Sequence, residues 1–131
     1  MAIENKILDL SFTADEDLSS DQYRLVVTGS SELTVKRPDA ITDIALGVLQ
    51  NAPESGEAAV VRMIGSGGVS KIVLGATLAA GAIVAPEYQS ASDAGKAQAA
   101  VSTQYPAGVL IMGGAEDDLG SVLLTPITVV A

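Results

Sequence analysis

Short runs of aliphatic residues, each closed within a few positions by glycine, proline or a polar turn cluster, recur along the whole chain. That punctuation leaves little room for a long helix and favours many short strands. Leu8, Leu10 and Phe12 alternate with Asp9 and Ser11, and Tyr23, Leu25 and Val27 alternate with Arg24 and Val26. Residues two apart on an extended chain share a face, so both stretches predict half-buried strands. Further strands are expected over residues 47–50, 58–64, 69–74, 83–84, 97–105, 108–112 and 122–130, with Pro126 marking a sheet edge. Thr28-Gly29-Ser30-Ser31 and a return strand over 33–36 make residues 22–37 a hairpin. Gly65-Ser66-Gly67-Gly68 reads as a second hairpin turn, Ala79-Ala80-Gly81 as a tight turn, and Asp93 to Lys96 as another. Residues 38–46 (PDAITDIAL) are the best helical candidate, a short helix or an irregular connector. The expected fold is all-β (mostly β), a small β-barrel or β-sandwich-like domain with at most one short helix.

Gly47-Val48-Leu49, an acidic glycine-containing loop and a Val60-Val61 strand recur as Gly108-Val109-Leu110, the Glu116-Asp117-Asp118 loop and Val122-Leu123-Leu124. The two Gly-Val-Leu starts lie 61 residues apart. They read as two similar hairpins in one barrel, since a solenoid needs at least three repeats at short period.

At 131 residues the chain fits one domain, residues 1–131, with 1–21 an N-terminal arm or edge strand and 22–131 the barrel core. Only Phe12, Tyr23, Tyr88 and Tyr105 are aromatic, so Ala, Val, Ile and Leu carry the burial. A core of small aliphatics removes less area from water per residue, and a partner subunit adds stability to such a chain. The net charge of −9 and the scatter of seven basic residues argue against nucleic acid or an anionic membrane as partner. The most apolar charge-free stretch, residues 72–86, is too short to span a bilayer and contains Gly75, Gly81 and Pro86. The first residues lack the basic-then-apolar pattern of a secretory signal, so the protein is expected to remain soluble.

The sequence contains neither His nor Cys, which removes the usual general base, the thiolate nucleophile and most transition-metal donor sets. Asp15-Glu16-Asp17 and Glu116-Asp117-Asp118 lack the alternating spacing of a calcium loop and read as solvated turns. The glycines at 65–68 are followed by a β pattern instead of the Gly-Lys-Ser/Thr that opens a phosphate-binding helix. Ser70 and Lys71 are neighbours on a strand, point to opposite faces and cannot form a dyad. No catalytic, cofactor-binding or metal-binding residue is assigned, and the protein is not expected to be an enzyme. Leu8, Leu10 and Phe12, with Ile3 and Ile7, are either a core strand or an arm that adds to a partner's sheet edge.

From Gly47 onward the order of these motifs resembles the capsid decoration (cement) proteins of tailed bacteriophages. The resemblance rests on Gly-Val-Leu-Gln-Asn leading into a Pro- and Gly-Glu-containing loop (47–57), Gly-Val-Ser-Lys (68–71), Ala-Ala-Gly (79–81) and Asp-Ala-Gly-Lys-Ala (93–97). It covers about residues 40–125. It implies a β-barrel-like structural protein, made in the host cytoplasm and bound as a homo-oligomer, a trimer, to the outer surface of the virion's capsid. The implied partner is the major capsid protein, held by many modest contacts acting together. The implied protein-binding residues are those of the N-terminal arm, Ile3, Ile7, Leu8, Leu10 and Phe12. The alternatives are another virion component, such as a tail or adhesin module, or a small carbohydrate-binding module or hydrolase using the acidic loops.

Overall fold

The structure, a computed structural model, describes residues 2–127. It is all-β, with ten strands: β1 (Asp9–Ala14), β2 (Leu25–Thr28), β3 (Thr34–Lys36), β4 (Gly47–Leu49), β5 (Ala58–Met63), β6 (Val69–Val73), β7 (Ile83–Pro86), β8 (Ala97–Ala99), β9 (Gly108–Met112) and β10 (Leu119–Leu124). The first five close into a barrel in the order β1-β3-β2-β4-β5, and the last five form a sheet ordered β6-β10-β9-β7-β8. A parallel bridge, Leu74 to Ala97, brings the ends of that second sheet together.

The two halves are copies of one design. β1 pairs with β5 antiparallel and β3 parallel, as β6 pairs with β10 and meets the start of β8. Gly47 pairs with Met63 and Leu49 with Val61, while Gly108 pairs with Leu124 and Leu110 with Val122, every partner displaced by 61 positions. Turn bonds repeat as well: the Tyr23 amide donates to the Leu49 carbonyl as the Gly81 amide donates to Leu110. Even left-handed backbone recurs, at Tyr23 and Gly81, at Leu33 and Gly95, and at Gly56 and Asp117. The two Gly-Val-Leu hairpins therefore do not share one barrel, as the sequence suggests; each closes its own half.

Two core clusters follow from this arrangement. Phe12, Ala14, Leu18, Val26, Val35, Leu49 and Val61 fill the first half. Their register equivalents Ile72, Leu74, Leu78, Val84, Ala97, Leu110 and Val122 fill the second. The second cluster also receives Leu25, Ala45 and Val48 from the outer face of the first half. The segment from Tyr23 to Leu25 is wedged into the seam beside β6: the Val73 amide donates to the Tyr23 carbonyl at 2.9 Å and the Leu25 amide to the Gly95 carbonyl at 2.8 Å. In the first half the same seam is closed directly, the Thr13 amide donating to the Leu33 carbonyl at 3.0 Å. A Cβ on Gly95 would run into the Leu25 carbonyl, so glycine is what admits the wedge.

Three details depart from the sequence reading, and at residues 38–46 the structure decides between its two alternatives. Gly65-Ser66-Gly67-Gly68 is no hairpin turn: β5 and β6 belong to different sheets, and the glycines carry the chain from one half to the other. Gly65 and Gly67 have positive φ, which is turn chemistry in either case. Residues 38–46 form turns and no helix. The Asp43 carboxylate accepts the Asp39 amide, and Ile41 and Ile44 lie exposed, so no apolar stripe exists to hold a helix. Of the strand expected over 97–105, only β8 forms. β10 ends at Leu124 between β6 and β9, before Pro126; residues 125–127 are not strand, and the remainder of the strand expected to residue 130 lies outside the described residues.

Candidate protein-binding surface

The N-terminal segment is laid across the second half before it enters the first. Ile3 exchanges two bonds with the Ser121 hydroxyl, its amide donating at 2.7 Å and its carbonyl accepting at 2.9 Å. Asn5 and Val69 exchange backbone bonds of 2.9 and 2.8 Å. Arg62, 6% exposed, locks this strap from beneath. Its guanidinium donates to Asp9 (2.9 and 3.2 Å), to the Val69 carbonyl (3.0 Å) and to Glu4 (3.4 Å). One charge from β5 thus ties the strap, β1 and β6 together.

Leu10 and Phe12 share the inward face of β1, with Leu10 opposite Val61 and Phe12 opposite Ala59, and Leu8 immediately precedes the strand. Phe12 packs on the first core, whereas Leu10 and Leu8 lie beyond the filled part of the barrel and are exposed. Ile3 and Ile7 are exposed by more than half. The structure therefore gathers Ile3, Ile7 and Leu8 on a strap held to the body, with Leu10 at the barrel mouth and Phe12 inside it. β1 is a strand of the barrel, bonded along β5 from Asp9 to Thr13 and to β3 at Thr13 and Ala14.

The acidic loops serve turns. Asp15 accepts from the Ser30 amide and hydroxyl, and those bonds lower its pKa; the Ser19 hydroxyl, with the Ser19 amide, lowers that of Asp17. Glu16 accepts from Arg37 (2.9 Å), and Asp118 accepts the Ala115 amide. Lys96 donates to Asp117 at 2.7 Å. Asp21, 2% exposed, sits between Arg37 (2.7 Å) and Arg24 (3.4 Å). Burial pushes its carboxyl up against the pull of both guanidinium groups. Among the described residues, no group of three or more Asp or Glu side chains gathers to hold a metal ion. No helix among them is long and apolar enough to cross a membrane.

Glu87 is different. It is 8% exposed, and burial raises its pKa, with the nearby Asp93 charge adding to the shift. The folded protein holds this proton to higher pH than the unfolded chain does. The corresponding stability is complete below the usual carboxylate range and is lost as pH rises through the raised pKa. Glu87→Gln should therefore raise the urea midpoint at pH 7 and leave it nearly unchanged at pH 4. An equal shift at both pH values would show that the charge is not responsible.

Sequence reasoning did not single out Arg62, because a lone arginine on a strand gives no sign of its partners. It also did not separate the buried outer face of the first half from its exposed counterpart in the second, both being aliphatic runs.

No protein-family model and no curated protein matches the chain. Among solved structures, it is similar to the N base of head fiber gp8.5 of bacteriophage phi29, with a TM-score of 0.64 and 16% identity. The match covers 95% of this chain and 98% of that one, so the likeness is one of whole fold, both halves included.

Proposed function

We propose that the chain is a non-enzymatic structural component of a tailed-phage head, set on the outer capsid surface and cementing contacts between major capsid protein subunits. The observation that carries this reading is the full-length likeness to the N base of a phage head fiber. The ordered motifs over residues 40–125 that resemble decoration proteins support it from the sequence side. A homo-oligomer, a trimer in the resembling family, is part of the same reading. The exposed apolar residues of the strap, Ile3, Ile7 and Leu8, are the groups to place against the shell, because a buried aliphatic anchor is what turns a surface contact into affinity.

The test is co-sedimentation of the purified protein with expanded heads of its source virus. Binding, with a higher shell melting temperature, is the expected result; no binding to heads overturns the reading, as does labelling confined to the tail. Ile7→Asp and Leu8→Asp should each weaken shell binding about tenfold while the free protein melts as before. Unchanged binding would move the contact to another surface.

A further inference from the structure

The contact between the halves has a free counterpart on each side. Leu25 and Val48, on the outer face of β2 and β4, are 1% and 0% exposed because they plug the mouth of the second half. Beneath that plug, Ile72, Ala107 and Leu124 are completely or almost completely buried. Their equivalents in the first half, Phe12, Leu46 and Met63, are only partly buried, since none of the described residues covers that mouth. It opens as a groove of about 520 Å³ between Phe12, Leu46 and Leu33. The counterpart of the plug is also uncovered. Ile83 and Val109 stand where Leu25 and Val48 stand in the first half, and Ile83 is 37% exposed.

Two residue choices indicate that these surfaces meet something apolar. Gln50 spends its amide on Val48 and Ser70 within the joint between the halves. The equivalent position on the free face is Ile111, 44% exposed, which makes that face more apolar than the buried one it copies. Leu33, 78% exposed with φ of 58°, takes the position of Gly95. A leucine there is strained and projects its side chain over the rim of the groove.

We propose that the Ile83, Val109 and Ile111 face of one copy seats in the Phe12, Leu46 and Leu33 mouth of a second copy, continuing between chains the contact that joins the halves within one. Each chain then offers one plug and one socket, a head-to-tail arrangement that closes into a ring where the rotation allows. Leu33 fills the place through which the Tyr23–Leu25 backbone enters the second half, so this joint is made by side chains without strand insertion. The joint within the chain, by contrast, also pairs backbone, through the Val73 amide to the Tyr23 carbonyl and the Leu25 amide to the Gly95 carbonyl. The proposal concerns the protein alone and does not depend on what the assembly binds.

The test is analytical ultracentrifugation of the protein without any shell. The wild type is expected to sediment as an oligomer. Ile111→Asp, which spoils only the plug, and Leu33→Asp, which spoils only the socket, should each be monomeric with an unchanged melting temperature. Mixed in equal amounts, they should form discrete dimers, because each retains the half the other lost. A monomeric wild type, single variants that keep the wild-type state, or a mixture that remains monomeric would each overturn the proposal. Ile83→Asp paired with Leu33→Lys repeats the experiment on the same two surfaces if either first variant folds poorly.

Discussion

Gly47→Ala and Gly108→Ala should each destabilise the fold by about 3 kcal/mol, the upper end of what overpacking a tight interior costs, and by closely similar amounts. A Cβ at Gly47 falls on the Arg62 carbonyl of β5, and one at Gly108 falls on the Leu123 carbonyl of β10. Both obstacles are backbone atoms in a paired strand, so relief requires moving the strand and stretching its ladder. Gly56 is the control. It has positive φ and open space around it, and the second half holds Asp117 in the same left-handed conformation at the equivalent place. Gly56→Asp should therefore cost no more than about 1 kcal/mol, the price of backbone conformation alone. Urea denaturation with unchanged slope measures all three. Losses below 1 kcal/mol at Gly47 and Gly108 would mean that the close strand approach relaxes freely.

The equivalence of the two glycines also shows what was legible in the sequence. The all-β class followed from period-two alternation and turn punctuation, and the Gly-Val-Leu recurrence pointed to a repeated hairpin because close strand approach tolerates no other residue there. The rest of the duplication was hidden, since an inward position accepts any aliphatic of suitable volume. Phe12 answers to Ile72, Val35 to Ala97 and Leu46 to Ala107, pairs that share an inward position and little else. The glycine run at 65–68 was misplaced for a related reason: positive φ reverses the chain equally well into a hairpin or across to another sheet. Alternation put Leu8, Leu10 and Phe12 on one face, yet only the length of β5 and the unfilled mouth determine that Phe12 is packed and Leu8 is exposed. The proposed partner surfaces were the least legible part. Their residues look like core in the sequence, and only comparison with an occupied copy of the same site distinguishes them.

Arg62→Ala is expected to cost about 3 kcal/mol and to free the N-terminal strap. The side chains of Arg62 and Asp9 are 7% and 15% exposed, so the substitution leaves a mostly buried carboxylate facing a cavity. It also removes the donor to the Val69 carbonyl and the cation beside Glu4. What remains of the strap's hold is the Asn5–Val69 exchange, the bonds between Ile3 and Ser121 and the Met63 amide donating to the Leu8 carbonyl. Limited trypsin digestion reports directly on this, because Lys6 lies within the strap: cleavage after Lys6 should be rapid in Arg62→Ala and slow in the wild type. The double variant Arg62→Met with Asp9→Leu separates the causes. Removing both charges replaces the ion pair with apolar packing, so most of the lost stability should return. Fast cleavage with recovered stability would show that the pair's particular work is orienting the strap, and hence presenting Ile3, Ile7 and Leu8. Slow cleavage in both variants would show that the backbone bonds hold the strap unaided and that Arg62 matters only to the joint between β1 and β5.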